Sequence, residues 1–136
     1  MNSRTVTTVL PAAKSEVFAY LAEIENLPEW ATDFARELVV VEGRHKVRNG
    51  LGEFFFEIQA DESTGVIDML AGPDLNELAL FPTRVVELPG GGSAFTFTMF
   101  QAPSMPDELF DSQYRSLVRE LENVRGRFAG SGPADE

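Results

Sequence analysis

The sequence predicts an α+β domain in which an antiparallel sheet wraps around one long C-terminal helix. Three observations carry that prediction. Segments between residues 38 and 101 repeatedly alternate apolar and polar side chains, the period of a half-buried strand. Short Gly, Pro, Asn and Asp clusters separate those segments. Phe110, Tyr114, Leu117, Val118, Leu121, Val124 and Phe128 then recur at three- and four-residue steps, an amphipathic helix of about six turns. The sheet has one apolar face and the helix one apolar stripe, so each buries its surface against the other.

In chain order, Thr and Val alternate over residues 4–10 as a first strand, which Pro11 ends. From Ser15 to Ile24 the period becomes helical, with Val17, Phe18, Leu21 and Ile24 on one face. Asn26 is placed to cap a second short helix, with Pro28 in its first turn and Trp30 and Phe34 as its apolar anchors. Leu38 to Val41 and His45 to Arg48 read as strands, and Asn49-Gly50 as a tight turn. Over residues 52–60, Phe54, Phe56, Ile58 and Ala60 share one face. Glu53, Glu57 and Gln59 share the other, with Phe55 the interruption. Val66 to Leu70 is a strand between the turns Ser63-Thr64-Gly65 and Gly72-Pro73-Asp74. Glu77 to Leu88 is extended, with Pro82 confined to an edge or bulge. It forms a hairpin with Ala94 to Gln101, where Phe95, Phe97 and Met99 oppose Thr96 and Thr98. Ser104 is expected to cap the last helix, with Pro106 and Asp107 in its first turn. The layout predicts one domain over residues 1–129 and a small, polar, flexible tail over 130–136.

The segments Val17-Phe18-Ala19-Tyr20-Leu21 and Asn26-Leu27-Pro28-Glu29-Trp30, within this element order, resemble the opening of the SRPBCC superfamily. That superfamily groups the START, birch-pollen-allergen and polyketide-cyclase proteins. The resemblance implies the helix-grip fold: a curved antiparallel sheet around a long C-terminal helix, with two short helices after the first strand. It further implies a hydrophobic cavity between sheet and helix, used for lipids, sterols, polyketides or plant hormones, and in some members for cyclase or dehydratase chemistry. The superfamily shares no catalytic motif, so the resemblance assigns no catalytic residue here.

Composition narrows the chemistry. The formal net charge is −11, which repels phosphate backbones and anionic lipid heads, so nucleic acid and membrane surfaces are poor partners. No apolar run approaches the roughly 20 residues of a bilayer span, and the first ten residues lack the apolar stretch of a signal peptide. With no cysteine, disulfide and thiolate chemistry are excluded, and a reducing cytoplasm is the expected location. One histidine and no cysteine do not supply a zinc set, and no Asp-x-Asp-x-Asp-Gly calcium loop occurs, so no metal or other cofactor is expected. No Gly-x-Ser-x-Gly elbow is present, and Gly90-Gly91-Gly92 lacks the Lys-Ser/Thr that would make it a phosphate loop.

A small hydrophobic ligand remains the expected partner. The candidate cavity lining is Trp30, Phe34, Phe54, Phe56, Ile58, Ile67, Met69, Phe95, Phe97, Met99, Leu117, Val118 and Leu121, with His45, Arg84 and Tyr114 as polar groups that orient a guest. His45 alternates with Arg44 and Lys46 and shares the parity of Val47. It is read either as a cavity group that orients a ligand or acts as acid or base, or as a strand-end histidine that is half exposed or bonded to a backbone carbonyl. Arg84 shares the parity of Val86 and Leu88, which directs it inward toward a ligand carboxylate or toward Asp68 or Glu77. A bulge at Pro82 would turn it out instead. Asp68, on the face of Val66 and Leu70, and the Glu53/Glu57 pair are read as solvated. The readings that follow are a binding domain, a cyclase or dehydratase using the same cavity, and a protein-interaction module, as monomer or homodimer.

Overall fold

The computed structural model describes residues 1–130, so residues 131–136 of the expected tail lie outside the described residues. Strand β1 (Ser3–Leu10) is followed by helix α1 (Lys14–Ala22), a 3-10 turn (Ile24–Asn26) and the one-turn helix α2 (Leu27–Trp30). Strands β2 (Glu37–Val41), β3 (Arg44–Asn49), β4 (Gly52–Asp61), β5 (Val66–Gly72), β6 (Ala79–Phe81), β7 (Thr83–Glu87) and β8 (Ser93–Phe100) come next, and helix α3 (Asp107–Arg127) closes the chain. All pairings are antiparallel, in the order β1-β8-β7-β5-β4-β3-β2, with β6 also on β5.

The registers decide which side chains face α3. Opposite one another on the inner face lie Val6 and Phe97, Thr8 and Phe95, Ile58 and Met69, and Val47 and Phe54. The outer face is polar where strands meet: Thr5 and Thr98 hydroxyls lie 2.8 Å apart, and Glu53 accepts from Lys46 and Arg48. The expected Asn49-Gly50 turn exists, but Gly52 takes the positive φ, while the Asn49 carboxamide oxygen accepts from the Leu51 amide. Between β2 and β3 the turn is Glu42-Gly43, both at positive φ (52° and 80°), the geometry a two-residue hairpin needs.

Arg84 faces outward. The β8 register places Arg84 opposite Thr96 on the outer face and Val85 opposite Phe95 on the inner one, so Val85, not Val86, is fully buried. Pro82 splits the expected long strand into β6 and β7 without a bulge, since Phe81 opposite Met69 and Arg84 opposite Val66 keep one register. Two adjacent valines leave that parity ambiguous in the sequence. Arg84 Nε donates to the Thr64 carbonyl instead of meeting Asp68 or Glu77.

The expected caps also differ. Asn26 precedes α2 but makes no capping bond; its Nδ2 donates back to the Tyr20 carbonyl. Pro106, not Ser104, occupies the N-cap of α3, again without a side-chain bond. The acids Asp107 and Glu108 in the first turn and Arg125 and Arg127 in the last suit the helix dipole.

Helix α3 crosses the inner face with Phe110, Leu117, Leu121, Val124 and Phe128 buried. Val118 is 36% exposed and does not reach the core. The buried arc is centred on Leu117 and Val124, and the residue three after Leu117 and four before Val124 is Glu120. The arc therefore extends toward Glu120 and away from Val118. At the helix start, Arg4 of β1 pairs with Asp111 at 2.6 Å and lies over the Tyr114 ring at 4.6 Å. At its end, the Tyr20 ring of α1 meets Phe128 edge-on at 5.5 Å, and the Tyr20 hydroxyl donates to Glu29. Burial, then that carboxylate, pushes the Tyr20 phenol up to about 12. No helix among the described residues is long and apolar enough to cross a membrane.

Candidate functional site

Between the inner face of the sheet and α3 lies a cavity of about 510 Å³. Its floor is aromatic and thioether: Phe56, Met69, Phe81, Phe97 and Met99. Trp30 and Phe34 form one wall and Leu117 the other. Trp30 is 2% exposed and is fixed edge-on by Phe95 and Phe97, with ring centroids 6.0 and 6.5 Å away. The mouth is mostly polar, with Asp33, Arg36, Asn49, Ser112, Gln113, Ser116 and Arg119 around it and the exposed Leu51 as an apolar exception.

The loop 31–36 closes one side of the cavity, and side chains from two other elements hold it there. Asn123 of α3 donates to the Trp30 carbonyl at 2.9 Å and to the Thr32 hydroxyl at 3.2 Å. Asn49, at the tip of the β3–β4 hairpin, donates to the Phe34 carbonyl at 2.7 Å. Arg119 donates to Asp33 at 2.6 Å, which, with the Ser116 hydroxyl, holds the Asp33 carboxyl below its usual range. The fourth tie comes from Glu120. Its Oε2 accepts from the amides of Asp33 (3.1 Å) and Phe34 (2.9 Å).

Glu120 is 5% exposed and lines the cavity. Burial pushes its carboxyl up to about 7, and Asp33 adds to the rise. The two backbone amides and Arg119 oppose the rise without cancelling it. Its other oxygen, Oε1, has no hydrogen-bond partner among the described residues, yet no sealed side-chain oxygen there lacks one. Oε1 therefore keeps accessible surface, in a residue that lines the cavity.

Of the expected lining, Trp30, Phe34, Phe56, Met69, Phe97, Met99 and Leu117 surround this space. Ile67, Phe95 and Leu121 are buried in the packed core beside it, and Phe54 and Ile58 pack against that core farther along β4. Tyr114 lies under Arg4 on the β1 side of α3. His45 does share the face of Val47, but it sits beyond the end of the cavity. It lines a separate groove of about 410 Å³ with Ala22, Ile24, Phe55 and Ile58, and its Nε2 is 3.7 Å from Glu25. Arg84 and Val118 point away altogether. Sequence reasoning misses Glu120 because a charged residue reads as belonging to a solvated face. The signal that could have found it is its spacing from Leu117 and Val124.

The sequence matches no family model and no curated protein. Similarity appears in the backbone. The protein XoxI from Bacillus cereus superposes with a TM-score of 0.74 at 13% identity, covering 95% of this chain and 96% of that one. The Zhui aromatase/cyclase from Streptomyces sp. R1128 gives 0.72 at 16% identity, covering 95% and 94%. A START superfamily protein from Mycobacterium smegmatis gives 0.63 at 10% identity, covering 93% and 97%. The fold is the helix-grip fold. The resemblance to the SRPBCC superfamily holds at that level, with a curved eight-stranded antiparallel sheet, two short helices after β1 and the long α3. At such identities the likeness speaks for architecture alone.

Proposed function

We propose that this chain binds a small hydrophobic molecule in the cavity between the sheet and α3. The observation that carries the reading is the cavity itself, about 510 Å³ with an apolar floor and a polar mouth. Small-molecule sites typically span about 300–1,000 Å³ and combine apolar walls with a few orienting polar groups. Aromatic and Met side chains suit a flat or alkyl-bearing guest, and the methionines lend the floor adaptability.

The single tryptophan, Trp30, lines the space and reports on its occupancy. Titration with a fluorescent apolar probe such as anilinonaphthalene sulfonate should quench Trp30 with one-site saturation. Gln113→Trp, at the mouth, followed by the probe's own emission because it adds a second tryptophan, should weaken that binding at least tenfold while the thermal transition stays in place. Probe binding that ignores Gln113→Trp would sink the assignment to this cavity.

A second reading is an enzyme of the cyclase or dehydratase type using the same space. The buried Glu120 carboxyl, with its raised proton affinity and one oxygen that keeps accessible surface, favours it. In that reading Glu120, rather than His45, moves the proton. Turnover of a reactive polyketide-like substrate that survives Glu120→Gln would exclude this role.

A further inference from the structure

The geometry of Glu120 narrows the class of guest, and this step rests on the cavity being a binding site. Both amides that hold the carboxyl, those of Asp33 and Phe34, point at the same oxygen, Oε2. That oxygen is occupied as an acceptor by a rigid pair of donors. The remaining hydrogen-bonding capacity of the group lies on Oε1, which keeps accessible surface in this cavity-lining residue. That acceptor is served only by what enters the cavity, water or a guest's donor group.

We infer that Oε1 of Glu120 recognises a hydroxyl group on a neutral, aromatic-bodied ligand. The charged groups that line the cavity with Glu120 are Asp33 and Arg36 from the loop and Arg119 from its own helix, and of these Asp33 and Arg119 act on Glu120. Asp33 is already paired with Arg119 at 2.6 Å, so Arg36 at the mouth and Glu120 in the wall are the charges left. With Glu120 ionised those two nearly cancel and give no net pull on an ionic guest. The floor, with Phe56, Met69, Phe81, Phe97 and Met99, is aromatic and thioether, which suits a ring rather than a charged body. A hydroxyl reaching Oε1 from a ring seated over Phe97 and Met99 satisfies that acceptor.

The state of the carboxyl sets the direction of that bond. Above about 7 it is ionised and Oε1 accepts from a hydroxyl. Below that the proton resides on Oε1, because Oε2 already accepts two amides, and Oε1 then donates to a carbonyl. The preference should therefore shift toward a carbonyl guest as pH falls.

The test is calorimetric titration of the whole chain with β-naphthol, β-acetylnaphthalene and β-methylnaphthalene, at about pH 8.5 and about pH 5.5, either side of the Glu120 transition. At the higher pH β-naphthol should bind at least about tenfold tighter than β-methylnaphthalene, the worth of a bond to a charged acceptor. At the lower pH β-acetylnaphthalene should gain on β-naphthol. In Glu120→Gln the carboxamide oxygen keeps the two amides and the NH2 group faces the cavity. That variant should prefer β-acetylnaphthalene at both pH values. If all three probes bind wild type alike at both pH values, the inference fails while the cavity reading stands. If none binds, the cavity reading fails and takes this inference with it.

Discussion

Replacing Glu120 by Gln should make the protein more stable above neutral pH, and the size of the gain follows from where the carboxyl sits. In the unfolded chain the group titrates near 4.5; in the fold, burial raises it to about 7. Between those values the folded state binds more protons than the unfolded one, so stability falls as pH rises through that window and is level above it. At about 1.4 kcal/mol per pH unit, the gap comes to about 3 kcal/mol. Gln keeps an oxygen for the Asp33 and Phe34 amides but cannot ionise. The variant should match wild type near pH 4, diverge through the window, and lead by about 3 kcal/mol at pH 8, or about 6–12 °C in melting temperature. Thermal and urea unfolding of both proteins across this range measures the difference, and the subtraction removes every other titrating group. A Glu120→Gln variant that is less stable than wild type at pH 8, or a difference that does not change with pH, would refute the reasoning. A residue whose replacement stabilises the fold marks a place where stability has been given up for something else.

Other substitutions test the frame around the site. Gly65→Ala should cost at least about 2 kcal/mol, because Gly65 has φ +78° and an added Cβ would lie 2.0 Å from the Val85 carbonyl oxygen; an unchanged urea midpoint would contradict the packing of β5 on β7. Glu42→Gly should stabilise by about 0.5–1 kcal/mol, since Glu42 is held at φ 52° in a turn that suits glycine, and equal or lower stability would contradict that turn. Arg84→Ala and Val118→Ala should each change stability by less than about 0.5 kcal/mol and leave apolar-probe affinity unchanged, as both face outward; a loss of probe binding would restore them to the cavity.

Most of the architecture is legible because period and punctuation agree along this chain. Phe95, Phe97 and Met99 against Thr96 and Thr98 fix the faces of β8 without ambiguity, and the helical stripe fixes α3. Legibility fails where two neighbours are equally apolar. Val85 and Val86 give no parity, so the pattern alone puts Arg84 on the wrong side of β7. Leu117 and Val118 give no fine rotation of α3, so the pattern puts Val118 inside and does not single out Glu120. Long-range register also lies beyond a sequence reading. Only the meeting of α3 with loop 31–36 shows that His45 stands past the end of the cavity and that Glu120 is in its wall. The caps differ for a local reason: Asn26 and Ser104 have the right chemistry, but the chain enters α2 and α3 through a 3-10 turn and through Pro106.

The claim that most needs testing is that the space under α3 holds a molecule. Native mass spectrometry on freshly purified protein, set beside the same sample after denaturation, asks this directly. The expected result is an added mass that leaves on denaturation, and that is reduced or missing in Gln113→Trp prepared in the same way. If the wild-type protein, incubated with excess β-naphthol, still shows only the mass of the chain, the cavity does not function as a binding site and the proposed function is wrong.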